Sequence, residues 1–369
     1  MVTRRQVVLA LGAGALAVPY ASIAQEPGKV RRIGFLGVRS RSTPANPDVY
    51  YDAFVRGMRE LGYVEGKNLV IEWRFADGKP ERLSTLAAQL VQMNVEVIVT
   101  HATPGTLAAQ RATSTLPIVF ATATDPIASG FAATLARPGG NITGLSDLSG
   151  DLSPKRIELL KIMIPKLSRV VILVNPGNPA HPAILKSYQT AGQQIGIAIL
   201  SVDARSPEEI EGGFATNSRK HVGAVIIAAD GFFVGQARQV ATLTLKYQMP
   251  SMFHDRENVI AGGLMSYGQN LADLYRRAAT YVDKILKGAR ETLNKSFDRL
   301  RTNGKLLIPF VVSLSNHERN PLIQRFPRPG DLPIEQPTKI HLAINRKTAK
   351  ALGLSINNEL LLRADEMIE

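Results

Sequence analysis

The sequence predicts an α/β protein of two doubly wound parallel-sheet lobes joined by a multi-segment hinge. Three observations predict it. Short apolar strands alternate with helix-period segments from residue 30 onward; GNITGLSDL at 140–148 interrupts that rhythm; and the rhythm then restarts at residue 169. Alternation at this spacing makes βαβ units, whose parallel strands are covered on both faces. At 369 residues the chain can bury two such cores.

The first lobe opens with IGFLGV (33–38), followed by a helix whose stripe is Tyr50, Phe54, Met58 and Leu61. NLVIEWRF (68–75), the helix 81–93, VEVIVT (95–100) and a short helix over 105–112 continue it. PIVFATAT (117–124) follows, with Pro126 opening a further helix after Asp125. The crossover falls near 144–150. RVVILV (169–174), the helix 181–195, IAILSVD (197–203), the helix 206–219, AVIIAAD (224–230) and the helix 234–247 build the second lobe, and PSMFH (250–254) and GGLMSYG (262–268) close it. The helix over 271–287 and a strand at KIHLAIN (339–345) come too late for a simple second lobe. They predict that the chain returns to the first. The expected division is 30–145 with 270–289 and 329–369 in lobe 1, and 146–269 in lobe 2.

Two segments stand outside this plan. Residues 1–24 carry Arg4 and Arg5, an apolar run from Val7 to Val18, and small residues ending at Ala24. This is the layout of a cleaved export signal, and the run is shorter than the ~20 residues a bilayer needs. TRRQVVL leaves both the general secretory and the twin-arginine routes open. Residues 290–328 hold eight Lys/Arg against three Asp/Glu around IPFVVSLS. They read as an inserted surface loop, which domains tolerate at small cost.

Composition excludes several classes. There is no cysteine, hence neither a disulfide framework nor a thiolate metal site, and the six histidines show no HxH or HExxH spacing. GxSxG, a GxGxxG after the first strand and the Walker motif are all absent. No metal, no cofactor and no catalytic set is expected. The formal net charge of +13 invites a nucleic-acid reading, but the charge is spread over many elements and an exported chain does not meet DNA.

In open parallel sheets, ligands sit beyond the carboxyl ends of the strands. Those positions hold Arg39, Ser40 and Ser42 after the first strand, then His101, Thr103 and Thr106, then Thr122, Thr124 and Asp125. The second lobe supplies Asn175 and Asn178, then Asp230 with Phe232 and Phe233, and finally Ser266 and Tyr267. Helix capping alone would account for Thr103, Asn178 or Asp125 singly. Strand ends in both lobes that all finish in hydroxyls, amides or carboxylates point instead to a cleft for a zwitterionic or small organic ligand. Thr103, Thr106 and Thr124 with nearby amides would hold an anionic group. Asp230 or Asp125 would hold a cationic one, and Phe232, Phe233 and Tyr267 would pack the body.

PIVFATATDPIASG, LARPGGNITGLS, GGLMSYGQNLADLYRRAATYVDKILKGA and LPIEQPTKIHLAINRKTAKALGLSI resemble blocks of the periplasmic substrate-binding proteins of ABC importers, in the tryptophan/tyrosine-type family. The resemblance covers 30–289 and 329–369. It implies a type I periplasmic-binding fold with a three-segment hinge, ligand contacts at Thr103, Thr124, Asp125, Asn178 and Asp230, a small-molecule ligand (an amino acid or small organic acid) and an ABC permease of the inner membrane as partner. AADGFF (228–233) departs from the pattern of relatives that bind aromatic amino acids. The expected protein is a non-catalytic periplasmic receptor; a receptor feeding a signalling partner and an enzyme on the same scaffold are the alternatives.

Overall fold

The structure is a computed structural model that describes residues 30–44, 47–218, 222–301 (289–301 by backbone alone) and 328–369. The expected export signal, 1–24, lies outside the described residues, as do 302–327 of the expected insertion.

The first sheet contains β1 (Arg31–Gly37), β2 (Leu69–Phe75), β3 (Ile98–Thr100), β4 (Ile118–Thr124) and β5 (Ile142–Asp147) in the order β2-β1-β3-β4-β5, all parallel. Its helices are α1 (Val49–Glu60), α2 (Leu83–Gln92) and α3 (Ala102–Ala112). Successive strand residues feed opposite faces. Val119 and Ala121 enter one core with Phe35 and Phe54, whereas Ile118 and Phe120 enter the other with Leu36 and Leu90. Burial on both faces is why PIVFA is apolar without alternation.

The residues after β4 differ from expectation. Asp125 to Phe131 form a turn, not a helix: Asp125 Oδ1 accepts from the Ala128 N–H, the Asp125 carbonyl accepts from Ser129, and Gly130 at φ +73° breaks the coil after one turn.

The second sheet is built on β6 (Arg169–Val174), β7 (Ala198–Asp203), β8 (Ala224–Ile227), β9 (Ser251–Phe253) and β10 (Met265–Gly268). Around it lie α4 (Ser153–Met163), α5 (His181–Gln194), α6 (Pro207–Ser218), α7 (Gly231–Gly235), α8 (Ala237–Lys246) and α9 (Arg256–Ile260). The helix expected over 234–247 is thus α7 and α8, separated at Gln236. After β10 the chain forms α10 (Leu271–Arg301), which packs on α1 and β4 through Leu274, Tyr275, Ala278, Val282 and Ile285. α10 approaches α1 closely at Gly57, where a Cβ would collide with the Arg276 carbonyl oxygen. The backbone of 290–301 continues this helix rather than looping.

The last segments correct the expected division. β11 (His341–Asn345) pairs antiparallel with β10, and β12 (Glu366–Ile368) pairs with β11, giving the order β12-β11-β10-β9-β8-β6-β7. These strands, with α11 (Arg346–Ala351) and α12 (Asn358–Arg363), therefore complete lobe 2 and not lobe 1. Only the approach to them stays with lobe 1: Leu332 and Ile334 are buried in its cores, and Glu335 exchanges backbone hydrogen bonds with Gly144 and Ser146 beside β5. The lobes are thus linked by three segments, after β5, after β10 and before β11. Arg156 on α4 ties the first two together by donating to the Ser149 carbonyl at 3.0 Å and the Tyr267 carbonyl at 2.8 Å.

Candidate functional site

Each sheet has a point where consecutive connections run off in opposite directions, between β1 and β3 in lobe 1 and between β6 and β8 in lobe 2. Such switch points open a crevice at the strand carboxyl ends. Arg39 follows β1, His101 to Thr103 follow β3, Asn175 and Asn178 follow β6, and Asp230 follows β8. The two crevices meet. A cavity of about 30 Å³ between the lobes is lined from lobe 1 by Arg39, His101, Thr103, Thr122, Thr124 and Asp147, and from lobe 2 by Asn178, Asp230 and His254. Ser149, Gln269 and Tyr275 line it from the linking segments and α10.

The lobe 1 wall is held rigidly. Ala102 turns into α3 with φ +59°, a left-handed conformation that costs a non-glycine residue about 1–3 kcal/mol. It places Thr103 in the cavity wall, 2% exposed, with its hydroxyl unpartnered. His101 Nε2 faces the Val38 N–H at 2.9 Å and the Tyr51 hydroxyl at 3.1 Å; burial, with the nearby Arg39 charge, pushes its pKa well down. Arg39 grips both Asp48 oxygens, at 2.7 and 3.1 Å, and its guanidinium lies 4.8–5.7 Å from the ring centres of Tyr50, Tyr51 and Tyr275. Thr122 and Thr124 hydroxyls both donate to Asp147, at 3.3 and 2.8 Å.

The lobe 2 wall centres on Asp230. Its Oδ1 accepts from the Phe232 N–H at 2.8 Å and from Asn175 Nδ2 at 3.3 Å, and its Oδ2 from Asn178 Nδ2 at 2.7 Å. His254 is buried beside it with Nδ1 unpartnered; burial, then the charge of Arg156, pushes its pKa down to about 3. Outside Arg39 a wider vestibule of about 580 Å³ opens between the lobes, walled by Ser40, Tyr50, Phe232, Val234 and Glu257 among others.

The sequence-predicted residues fall into three groups. Arg39, Thr103, Thr122, Thr124, Asn178 and Asp230 meet at the cavity. Asn175 stands behind it as a support for Asp230, and Ser40 and Phe232 belong to the vestibule. Four sit elsewhere. Thr106 spends its hydroxyl on the Ala102 carbonyl inside α3, and exposed Asp125 caps its own turn. Phe233 is core in lobe 2, and Tyr267 packs against the other lobe 2 core, because strand alternation and the short α7 turn those rings away from the cleft. Sequence reasoning missed Asp147, Ser149, His254, Gln269 and Tyr275. A strand-end carboxylate in GLSDL was the available sign for Asp147, hidden because that stretch reads as a crossover.

Among the described residues there is no group of three or more His, Asp or Glu that could hold a metal ion, and no helix long and apolar enough to cross a membrane.

Residues 43–308 match the family of ABC transporter substrate binding proteins. A curated relative, the tyrosine-binding protein of Clostridioides difficile, is 22% identical over 317 residues, covering 85% of this chain and 80% of that protein. Among solved structures, a conserved domain protein from Vibrio cholerae is 24% identical with a TM-score of 0.75, covering 92% of this chain and all of that one. A Streptococcus pneumonia ABC domain in complex with L-Trp is 23% identical with a TM-score of 0.73, covering 91% and 100%. What these structures share with this chain is the fold.

Proposed function

Because the chain belongs to the family of ABC transporter substrate-binding proteins, we propose that it is an exported receptor that closes two lobes around a small molecule and delivers it to an ABC permease of the inner membrane. The observation that carries this reading is the interlobe cavity, whose polar wall is drawn from both lobes and includes an unpartnered Thr103 hydroxyl. A ligand that contacts both walls stabilises the closed arrangement over the open one, and closure gives a permease a surface to recognise.

Thr103 at the N-terminus of α3 suits an anionic group, since helix amides and the helix dipole favour negative charge there. Asp230 suits a cationic one. A relative named for tyrosine and a similar fold holding L-Trp support amino acids as the first class to test, with small organic acids beside them. The layout of residues 1–24 supports export to the periplasm.

Mass spectrometry of small molecules released from the purified chain, followed by thermal-shift titration with each one, tests the proposal. The expected result is one released species that raises the melting temperature by several degrees at saturating concentration. A chain that releases nothing and shifts with no amino acid or small organic acid is not this receptor.

A further inference from the structure

A groove of about 620 Å³ lies in lobe 1 between α1 and β2 and shares no lining residue with the interlobe cavity. Its apolar part is aromatic, made by Tyr51, Trp73 and Phe75. β2 is an edge strand, and Leu69, Ile71, Trp73 and Phe75 alternate onto one of its faces. Leu69 and Ile71 are buried in the core, whereas Trp73 and Phe75 are only half-buried. Their rings stack, with centres 5.6 Å apart and planes 7° from parallel. The strand face thus carries aromatic surface past the edge of the core.

The rest of the groove is cationic. Arg56 and Arg59 follow Asp52 and Val55 along one stripe of α1, and Arg41 comes from the connection between β1 and α1. All three arginines are exposed, and among the described residues none has an ion pair or a side-chain hydrogen bond. Of the two carboxylates present, Glu65 accepts from Trp73 Nε1 at 3.1 Å, which leaves Asp52 alone against three guanidiniums. A guanidinium forks onto a carboxylate and packs its flat face on a ring. The backbone of β2 is partly spent on its own chain. Arg74 Nη1 donates to the Trp73 carbonyl at 2.8 Å, and the Gly66 N–H to the Leu69 carbonyl at 3.0 Å. That favours a small molecule over an added peptide strand.

We infer that this groove is a second ligand site and that it takes an aromatic anion, a planar ring bearing carboxylates. The ring packs on the Trp73–Phe75 surface, and the carboxylates engage Arg56 and Arg59 from α1 and Arg41 from the preceding connection. The volume falls within the roughly 300–1,000 Å³ of small-molecule sites. Arg41 and Pro47 also wall the vestibule, so the occupant stands beside the cleft entrance. The site is independent of the receptor reading, which rests on the interlobe cavity.

Trp73 is the only tryptophan of the chain, so its emission reports on the groove directly. Benzene-1,4-dicarboxylate is expected to change that emission saturably at millimolar concentration or below. Two controls each remove one feature: benzene-1,4-dimethanol lacks the charge and cyclohexane-1,4-dicarboxylate lacks the ring. Both are expected to bind at least about tenfold more weakly. Calorimetric titration reads the same binding without relying on emission.

Arg56→Gln and Arg59→Gln, both at exposed helix positions, are each expected to lose about tenfold in affinity with an unchanged melting temperature. Asp230→Asn, in the interlobe cavity, is expected to bind the dianion as the wild type does. No saturable binding by either method overturns the inference, as does equal binding of the dianion and its uncharged analogue. Binding that survives Arg56→Gln/Arg59→Gln but is lost in Asp230→Asn places the dianion in the interlobe cavity; the second site then fails and the receptor reading stands. Binding of hexaglutamate without the aromatic dianion makes the groove a surface for acidic polypeptide and equally overturns it.

Discussion

Tyr50 on α1 of lobe 1 donates its hydroxyl to Asp255, which begins α9 of lobe 2, and both side chains are buried. The contact spans the vestibule edge, between walls lined by Tyr50 and Glu257. Burial, helped by Glu257, pushes the Asp255 carboxyl up to about 6 against the pull of the Tyr50 hydrogen bond. The native state therefore binds this proton between about pH 4 and 6, where the unfolded chain has released it. Stability from this group is fully present near pH 4 and is lost as pH rises through 6, by roughly 2–3 kcal/mol. Melting curves of wild type and Asp255→Asn from pH 4 to 7.5 read this out. The variant should gain on the wild type as pH rises to 6 and hold a constant lead above it; a gap independent of pH contradicts the assignment.

Arg39 and Asp48 form a nearly dry bidentate pair inside a ring of tyrosines. Arg39→Met leaves Asp48 without its cation and should cost about 3–5 kcal/mol in denaturant unfolding. Adding Asp48→Asn should recover a large part of that, since the amide oxygen can still cap α1 through the Tyr50 and Tyr51 N–H groups. Arg39→Lys should rescue poorly, because an ammonium cannot fork onto both oxygens.

Thr103 and Thr124 look equivalent in sequence and differ in partners. Thr103→Val removes a hydroxyl that bonds nothing, so stability should change by less than about 0.5 kcal/mol while ligand affinity drops about tenfold. Thr124→Val strips a 2.8 Å bond from Asp147 and should cost about 1–3 kcal/mol of stability. Paired melting and titration measurements separate the two; a Thr103→Val protein that melts early and binds normally would assign the hydroxyl to the fold.

Gly57→Ala should loosen α10 from α1, because the added methyl meets backbone and cannot be accommodated by a rotamer change. Overpacking of this kind costs about 1–3 kcal/mol. Increased amide exchange confined to α1 and α10 is the expected signature.

The two-lobed plan was legible because each buried strand announces itself locally, as IGFLGV and PIVFA do. So were the crevice residues that stand at strand ends, Arg39, Thr103, Asn178 and Asp230 among them. What could not be read was whatever depends on distant pairing. No local period says that β11 lies antiparallel to β10. Tyr50 reads as part of a helix stripe, although its ring stands with those of Tyr51 and Tyr275 around Arg39. Phe233 and Tyr267 differ for another reason: whether the ring faces the cleft or the core is set by the short helix α7 for Phe233 and by strand alternation for Tyr267, neither of which composition encodes.

The strand order also sets a timetable for synthesis. By Asp147 every strand of the first sheet has been made, whereas β10 waits for its antiparallel neighbour until residues 341–345 arrive. Through that interval lobe 2 presents a bare edge, open to any extended chain it meets. A product that ends early, before His341, keeps a complete first sheet and an unfinished second one, so loss of the C-terminal tail should show as aggregation in the cell before it shows as lost binding.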